Sequence, residues 1–166
     1  MRPLLPAPRR LLGPGLAAAW LCLGTGCVTG WRAKADLYDA YYQYQIGDNA
    51  AALAKIRQAL DSCSWPGVPD QVVIEAYDDA GLYYYLNRQP RAAFVHQAVA
   101  VLVSEAAATP APLRETYLGR LLKALAASDI GLSADTIRED PRVLLTVPEV
   151  RDHPQVRRRY GGPARP

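Results

Sequence analysis

The sequence predicts an all-α protein in which antiparallel helix hairpins stack as a short solenoid of about five to seven helices. Between Ala33 and Ser128, apolar residues recur every three or four positions, the spacing of one helical face. Pro and Gly fall almost only between these periodic runs, where they interrupt helices. Short connections alternate with longer ones, and short connections join antiparallel neighbours. The chain of 166 residues is long enough for one domain with a core.

The first predicted helix spans 32–46 and the second spans 49–62. Gly47 lies between them as the usual left-handed stop, and Asp48 or Asn49 can cap the second helix. After a loop marked by Pro66, Gly67 and Pro69, the third helix is predicted over 70–86. The fourth helix is predicted over 89–107, with Pro90 in its first turn, and the fifth over 112–128. A short helix over 133–138 follows, and capping helices are predicted in the strings DPRVLL and HPQVRRRY.

Two strings repeat a pattern of small residues. GDNAAALAKIRQAL, which begins at Gly47, resembles the middle of a tetratricopeptide (TPR) repeat, and RQPRAAFVHQAVAV, which begins at Arg88, resembles it again without the turn glycine. The second set of alanines follows the first by 41 residues, against about 34 in the family, and the Cys63 to Pro69 loop absorbs the excess. The resemblance implies close helix packing at Gly47, Ala52, Ala59, Ala93 and Ala100.

The N-terminus has the three parts of an export signal. Arg2, Arg9 and Arg10 precede an apolar stretch from Leu11 to Leu23, and small residues follow it. Gly13-Pro14-Gly15 interrupts that stretch, which leaves it too short for a permanent transmembrane helix. An ordinary secretory signal and an uncleaved cytoplasmic chain remain the alternatives to a lipoprotein signal.

The string LGTGC, which ends at Cys27, resembles the bacterial lipobox, although Gly24 stands where that motif usually has Leu. The resemblance implies that a lipid is attached to the Cys27 thiol and that the signal is cut just before this residue. Several acyl chains on one residue give stable membrane anchoring. Val28 follows the cysteine, and in this respect the chain resembles lipoproteins that are sorted to the outer membrane. There the chain would face the periplasm.

Cleavage before Cys27 changes the charge balance. The chain carries 19 basic and 16 acidic residues, and three arginines leave with the signal, so the mature chain is formally neutral. A nucleic-acid-binding protein would usually have a strongly basic domain, and we therefore expect no nucleic-acid partner. Of the three cysteines, only Cys63 would remain as a free thiol, either buried as a small apolar side chain or available for an intermolecular disulfide.

The sequence lacks the constellations that catalysis or metal binding requires. The chain has two histidines, His96 and His153, which lie far apart and have no cysteine cluster near them. Glu75 and Asp79 share one helix face and could hold a hard cation or a basic partner, but a solvated acidic face is the simpler interpretation. We therefore expect no enzymatic activity, no cofactor and no metal site.

The aromatic composition favours a binding surface. Ten tyrosines stand against one phenylalanine, and they cluster on the first helices of the predicted hairpins, which line the concave face of such arrays. The side chains of adjacent helical residues point about 100° apart around the helix axis, so the consecutive residues Tyr83, Tyr84 and Tyr85 cannot all face the core. Exposed Tyr is a favoured contact residue at binding surfaces. The predicted groove residues are Tyr38, Tyr41, Tyr42, Tyr77, Tyr84, Tyr85 and His96.

The predicted organisation is a signal peptide over 1–26, a lipid-anchored linker over 27–32, a TPR-like helical domain over 33–145, and a capping segment with a basic tail over 146–166. The arginines near the C-terminus indicate a disordered tail, which could touch anionic headgroups or an acidic partner.

The functional prediction is a non-enzymatic lipoprotein scaffold of the cell envelope that holds a protein or peptide partner. TPR lipoproteins that it resembles assist the assembly of pilus and secretion machines. One alternative is a structural subunit that self-associates into a homo-oligomer, with Cys63 as a bridge. A less favoured alternative is a secreted enzyme or metal protein that uses Glu75, Asp79 and His96.

Overall fold

A computed structural model describes residues 14–65 and 67–161, and it describes the side chains from residue 30 onward. All regular secondary structure in this part of the chain is helical and no strand is present, which confirms the all-α hairpin architecture. The helices are α1 (Pro14–Gln45), α2 (Asn49–Cys63), α3 (Asp70–Leu86), α4 (Pro90–Ala106), α5 (Ala111–Ala127), α6 (Ala134–Glu139), a 3₁₀ helix (Pro141–Thr146), α7 (Pro148–Arg151) and α8 (Pro154–Tyr160).

The N-terminal helix is longer than predicted. It begins at Pro14, inside the predicted signal peptide, and it includes Cys27 and the predicted linker 27–32. Residues 1–13 lie outside the described residues, as do the side chains of 14–29, Cys27 among them. Gly30 packs against the body, since a Cβ there would lie 3.2 Å from Cδ of Pro69. Across the part of the chain that the structure covers, no helix has both the length and the apolar character needed to cross a membrane.

The main helices stack in chain order as hairpins, with the most extensive contacts inside the pairs α1/α2 and α3/α4. Small side chains allow these helices to approach closely, and large apolar ones fill the space between the pairs. Phe94, Ile56, Ile74, Leu102 and Leu121 are all fully buried. The predicted repeat-packing alanines have no exposed surface: Ala52, Ala59, Ala93 and Ala100. The prediction of close packing is wrong for Gly47, which is exposed in the turn after α1, where an added Cβ would meet nothing within 4 Å.

The turns after α1, α3 and α4 share one geometry. The second residue after each helix takes a positive φ, +83° at Gly47, 58° at Arg88 and 51° at Ala108. At each turn the next backbone N–H donates to a carbonyl five residues earlier, over 2.9 to 3.0 Å, as in a Schellman motif. Arg88 therefore takes the conformation of the turn glycine that the second repeat lacks, and its Cβ strains the backbone there.

The C-terminal segment caps the bundle through α8. Gln155 Nε2 donates to the Cys63 carbonyl over 2.8 Å, and Tyr160 Oη donates to the Leu102 carbonyl over 2.8 Å. The Val156 side chain of α8 is buried, and Arg159 forms an ion pair with Asp70 at the start of α3. The capping helix predicted in HPQVRRRY is present as α8, and these contacts order the chain as far as Tyr160, so the prediction of a disordered tail is wrong for residues 157–160; residues 162–166 lie outside the described part.

Cys63, at the end of α2, is buried with 1% of its surface exposed. Burial raises the pKa of its thiol to about 12, so it carries almost no thiolate at neutral pH. The structure therefore agrees with the buried apolar interpretation, and an intermolecular bridge through Cys63 would require α2 to separate from α3, whose Val72 carbonyl lies 4.0 Å from the Cys63 Sγ.

Candidate functional site

A cavity of about 450 Å³ lies between α1, α3 and α5, the first helices of successive hairpins. This is the position at which the sequence predicts a concave binding face. Its walls combine aromatic rings with carboxylates: Lys34, Leu37, Tyr38 and Tyr41 from α1, Glu75, Asp78 and Asp79 from α3, and Tyr117 from α5.

Helical periodicity places these residues on common faces. The four α1 positions are spaced by three, one and three residues, and the three α3 positions by three and one, so each set forms one stripe. Tyr38 is 74% exposed and Tyr41 is 56% exposed, whereas Tyr117 is buried. The cavity therefore has an aromatic rim on α1 and a tyrosine in its interior wall.

Asp78 is the most buried charged group of the cavity. Only 5% of the residue is exposed, and its Oδ2 forms an ion pair with Nη1 of Arg120 on α5. Its other oxygen, Oδ1, has no hydrogen-bond partner among the described residues. Burial raises the pKa of the Asp78 carboxyl, and the Arg120 charge opposes that rise.

Asp79 lies beside Asp78 on the same wall. Burial raises the pKa of its carboxyl to about 6, and the charge of Asp78 adds to the rise. Glu75 accepts a hydrogen bond from Gln71 Nε2 over 2.9 Å at the outer edge. Three carboxyl groups, two of them desolvated, therefore face one small volume, which makes the cavity favourable for a positively charged group.

Within the described residues, no three His, Cys, Asp or Glu side chains are arranged to hold a metal ion. His96, which the sequence groups with Glu75 and Asp79 as a less favoured metal set, lines a different cavity with Arg91 and Glu149. The structure thus separates that set.

Three predicted groove residues instead form an aromatic cluster in which Tyr77 and Tyr84 are buried and His96 is half-buried. The rings of Tyr84 and His96 lie 4.6 Å apart, those of Tyr77 and His96 5.8 Å apart, and His153 meets Tyr77 edge-on at 5.0 Å. Arg57 Nε donates to the Tyr84 hydroxyl over 3.2 Å, which satisfies that group inside the fold. Tyr77 and Tyr84 are 6% and 8% exposed, so they stabilise the core and cannot form an open groove.

The other predicted groove residues are exposed. Tyr38 and Tyr41 line the cavity, whereas Tyr42 and Tyr85 lie on the surface outside its walls. The structure therefore brings two of the seven predicted residues together at this site and distributes the rest elsewhere.

Sequence reasoning missed Lys34, Tyr117 and Arg120. The spacing of Lys34 from Tyr38 and Tyr41 was a usable signal, since residues four and seven positions apart share a helical face. Tyr117 and Arg120 had no comparable signal, because α5 must pack beside α3 before either residue reaches the cavity.

None of the protein-family models, curated proteins or solved structures compared with this chain matches it. The hairpin architecture is shown by the structure, while the TPR and lipoprotein resemblances remain predictions from the sequence.

Proposed function

We propose that this chain is a lipid-anchored, non-enzymatic binding module of the bacterial cell envelope that serves the assembly of a pilus or secretion machine. It faces the periplasm, most simply from the outer membrane, and holds a peptide segment of a partner protein. The observation that carries the proposal is the cavity between α1, α3 and α5, where exposed Tyr38 and Tyr41 stand over a wall of carboxylates. Tyr is favoured at protein contacts because its ring is large, rigid and amphipathic.

The position of Cys27 supports the anchor. Gly30, which packs on Pro69, follows Cys27 by three residues, about 4.5 Å along the helix axis. A lipid on Cys27 would therefore hold the helical body close to the membrane surface. Trp31 is 74% exposed and Trp65 is 61% exposed near that end of the bundle, and Trp is favoured at membrane interfaces.

The anchor is tested by metabolic labelling with a palmitate analogue. We expect the wild-type chain to be labelled and the Cys27→Ser variant to lose the label completely, because only the lipobox cysteine is acylated. Cys63→Ser serves as the control. Because Cys63 is buried in the fold, this variant should be labelled as strongly as the wild type. Equal labelling of the wild type and Cys27→Ser would refute the anchor.

The binding role is tested with a photo-crosslinking amino acid placed at Tyr41 or at Tyr42 in cells. These neighbours are similarly exposed, at 56% and 61%, but only Tyr41 lines the cavity. We expect a partner to be crosslinked from position 41 and not from position 42, and to be lost in a Tyr38→Ala variant. Equal crosslinking from both positions, or none from 41, would refute the groove.

A further inference from the structure

We propose that the cavity between α1, α3 and α5 recognises the cationic side chain of an arginine or lysine carried by the bound peptide. The inference rests on the proposed peptide-binding function and specifies the chemistry of the occupant.

The first support is the unsatisfied oxygen of Asp78. Arg120 engages Oδ2, and Oδ1 is left without a partner although the residue is 95% buried and lines the cavity. A buried acceptor without a donor costs free energy, and native proteins leave few such groups. Oδ1 itself has almost no accessible surface, so a cation in the cavity would stabilise the Asp78 carboxylate through its charge and not through a hydrogen bond to this oxygen.

The second support is the balance of charge at the cavity wall. Glu75, Asp78 and Asp79 face the space, against one lysine, Lys34, at the wall. Arg120 already pairs with Asp78 and does not line the cavity. An entering cation would therefore meet uncompensated carboxylate oxygens in a partly desolvated setting, where charge-assisted hydrogen bonds are stronger than on an open surface.

The third support is aromatic. Tyr38, Tyr41 and Tyr117 contribute rings to the same cavity, and cations are attracted to the faces of such rings. A guanidinium group also stacks on aromatic rings while its five donors reach carboxylates in its plane, so arginine fits this combination better than lysine.

The geometry favours an organic cation over a metal ion. The carboxylates do not converge as metal ligands in the described part of the chain, and the volume of about 450 Å³ lies in the range of organic ligand sites, roughly 300–1,000 Å³. Tyr38, which is 74% exposed at the rim, is available to contact the backbone that carries the side chain.

The test uses the full chain in detergent and two probes, N-acetyl-Gly-Arg-Gly-amide and the same peptide with neutral citrulline in place of arginine. We expect the arginine probe to bind about tenfold or more tightly than the citrulline probe, since only it makes charge-assisted hydrogen bonds. In NMR spectra of ring-labelled tyrosine, the signals of Tyr38, Tyr41 and Tyr117 should shift. The signal of Tyr85, which lies outside the cavity, should not.

Variants place the binding at the carboxylates. Glu75→Gln combined with Asp79→Asn should weaken the arginine probe about tenfold. The control, Glu115→Gln combined with Glu139→Gln, removes the same charge from exposed positions outside the cavity and should leave affinity unchanged.

Several results would overturn the inference: equal affinity for the two probes, no measurable binding of either, shifts confined to other tyrosines, or equal weakening by both double variants. Tighter binding of spermidine than of the arginine probe would also overturn it, because the occupant would then be a free amine. Crosslinking from Tyr41 together with equal probe affinities would leave the proposed function standing. Arginine-selective binding without any crosslinked partner would contradict the proposed function alone.

Discussion

Arg120→Met is expected to lower the free energy of unfolding by about 2–4 kcal/mol at pH 7.5. The substitution keeps most of the side-chain length but removes the only ion-pair partner that the structure gives Asp78, whose side chain is 7% exposed. An uncompensated carboxylate would then stay buried between α3 and α5. Because Arg120 itself is 41% exposed, we expect the lower half of this range.

The loss should depend on pH in a defined direction. Burial already raises the pKa of Asp78 in the folded protein, and removal of the Arg120 charge raises it further. A carboxyl whose folded pKa exceeds its unfolded pKa binds more protons in the native state, so stability falls as pH rises. The deficit of Arg120→Met should therefore be smaller at pH 5 than at pH 7.5, as measured by urea unfolding.

Two variants control this experiment. Arg138→Met removes an exposed ion pair with Asp135 and should cost less than about 0.5 kcal/mol. The double variant Asp78→Asn with Arg120→Met should recover part of the stability, because the charge at position 78 is no longer buried without its partner. A loss in Arg120→Met no greater than in Arg138→Met would show that the Asp78 pair contributes nothing to the fold.

Gly81→Ala is expected to destabilise the protein by about 1–3 kcal/mol, although alanine is the better helix former. A Cβ at Gly81, in the middle of α3, would lie 2.5 Å from Cγ of Gln97 on α4. Gln97 is 2% exposed, and its Nε2 donates to the Asp78 carbonyl over 2.8 Å. It can move away only by breaking that hydrogen bond inside the core.

Gly119→Ala is the matched control. Gly119 is also a mid-helix glycine, in α5, but a Cβ there would meet nothing within 4 Å. This substitution should stabilise the protein by about 0.5–1 kcal/mol through helix propensity alone. Urea unfolding of the two variants should thus give changes of opposite sign. Equal stabilisation of both would show that α3 and α4 are not closely packed at Gly81.

Local signals predicted most of the helical framework. Gly47 ends α1 near the expected residue, Pro90 begins α4 within one residue of the prediction, and α3 has the predicted bounds. These signals operate within one helical turn, through φ preferences and lost backbone donors, so they do not depend on the rest of the fold. The capping helix in HPQVRRRY was predicted, whereas the disorder expected from its arginines onward was wrong as far as Tyr160, because the contacts that order α8 lie far away in sequence, at Cys63 and Leu102.

The composition of the candidate site was partly visible in the sequence, since Tyr38, Tyr41, Glu75 and Asp79 were all singled out. What the sequence could not show is which tyrosines remain at the surface. Tyr84 and Tyr38 lie on first helices with similar periodicity, but Tyr84 is covered by Arg57 and His96 from neighbouring helices.

The sequence by itself determined the helical class, the helix bounds from α2 to α5 to within one residue, and the four alanines at which helices approach. Only the tertiary structure decided the cavity. Asp78 and Arg120 are 42 positions apart, and they meet because α3 and α5 pack side by side. Periodicity assigns a residue to a face of its own helix, whereas burial and ion pairing depend on the neighbouring helices that reach that face.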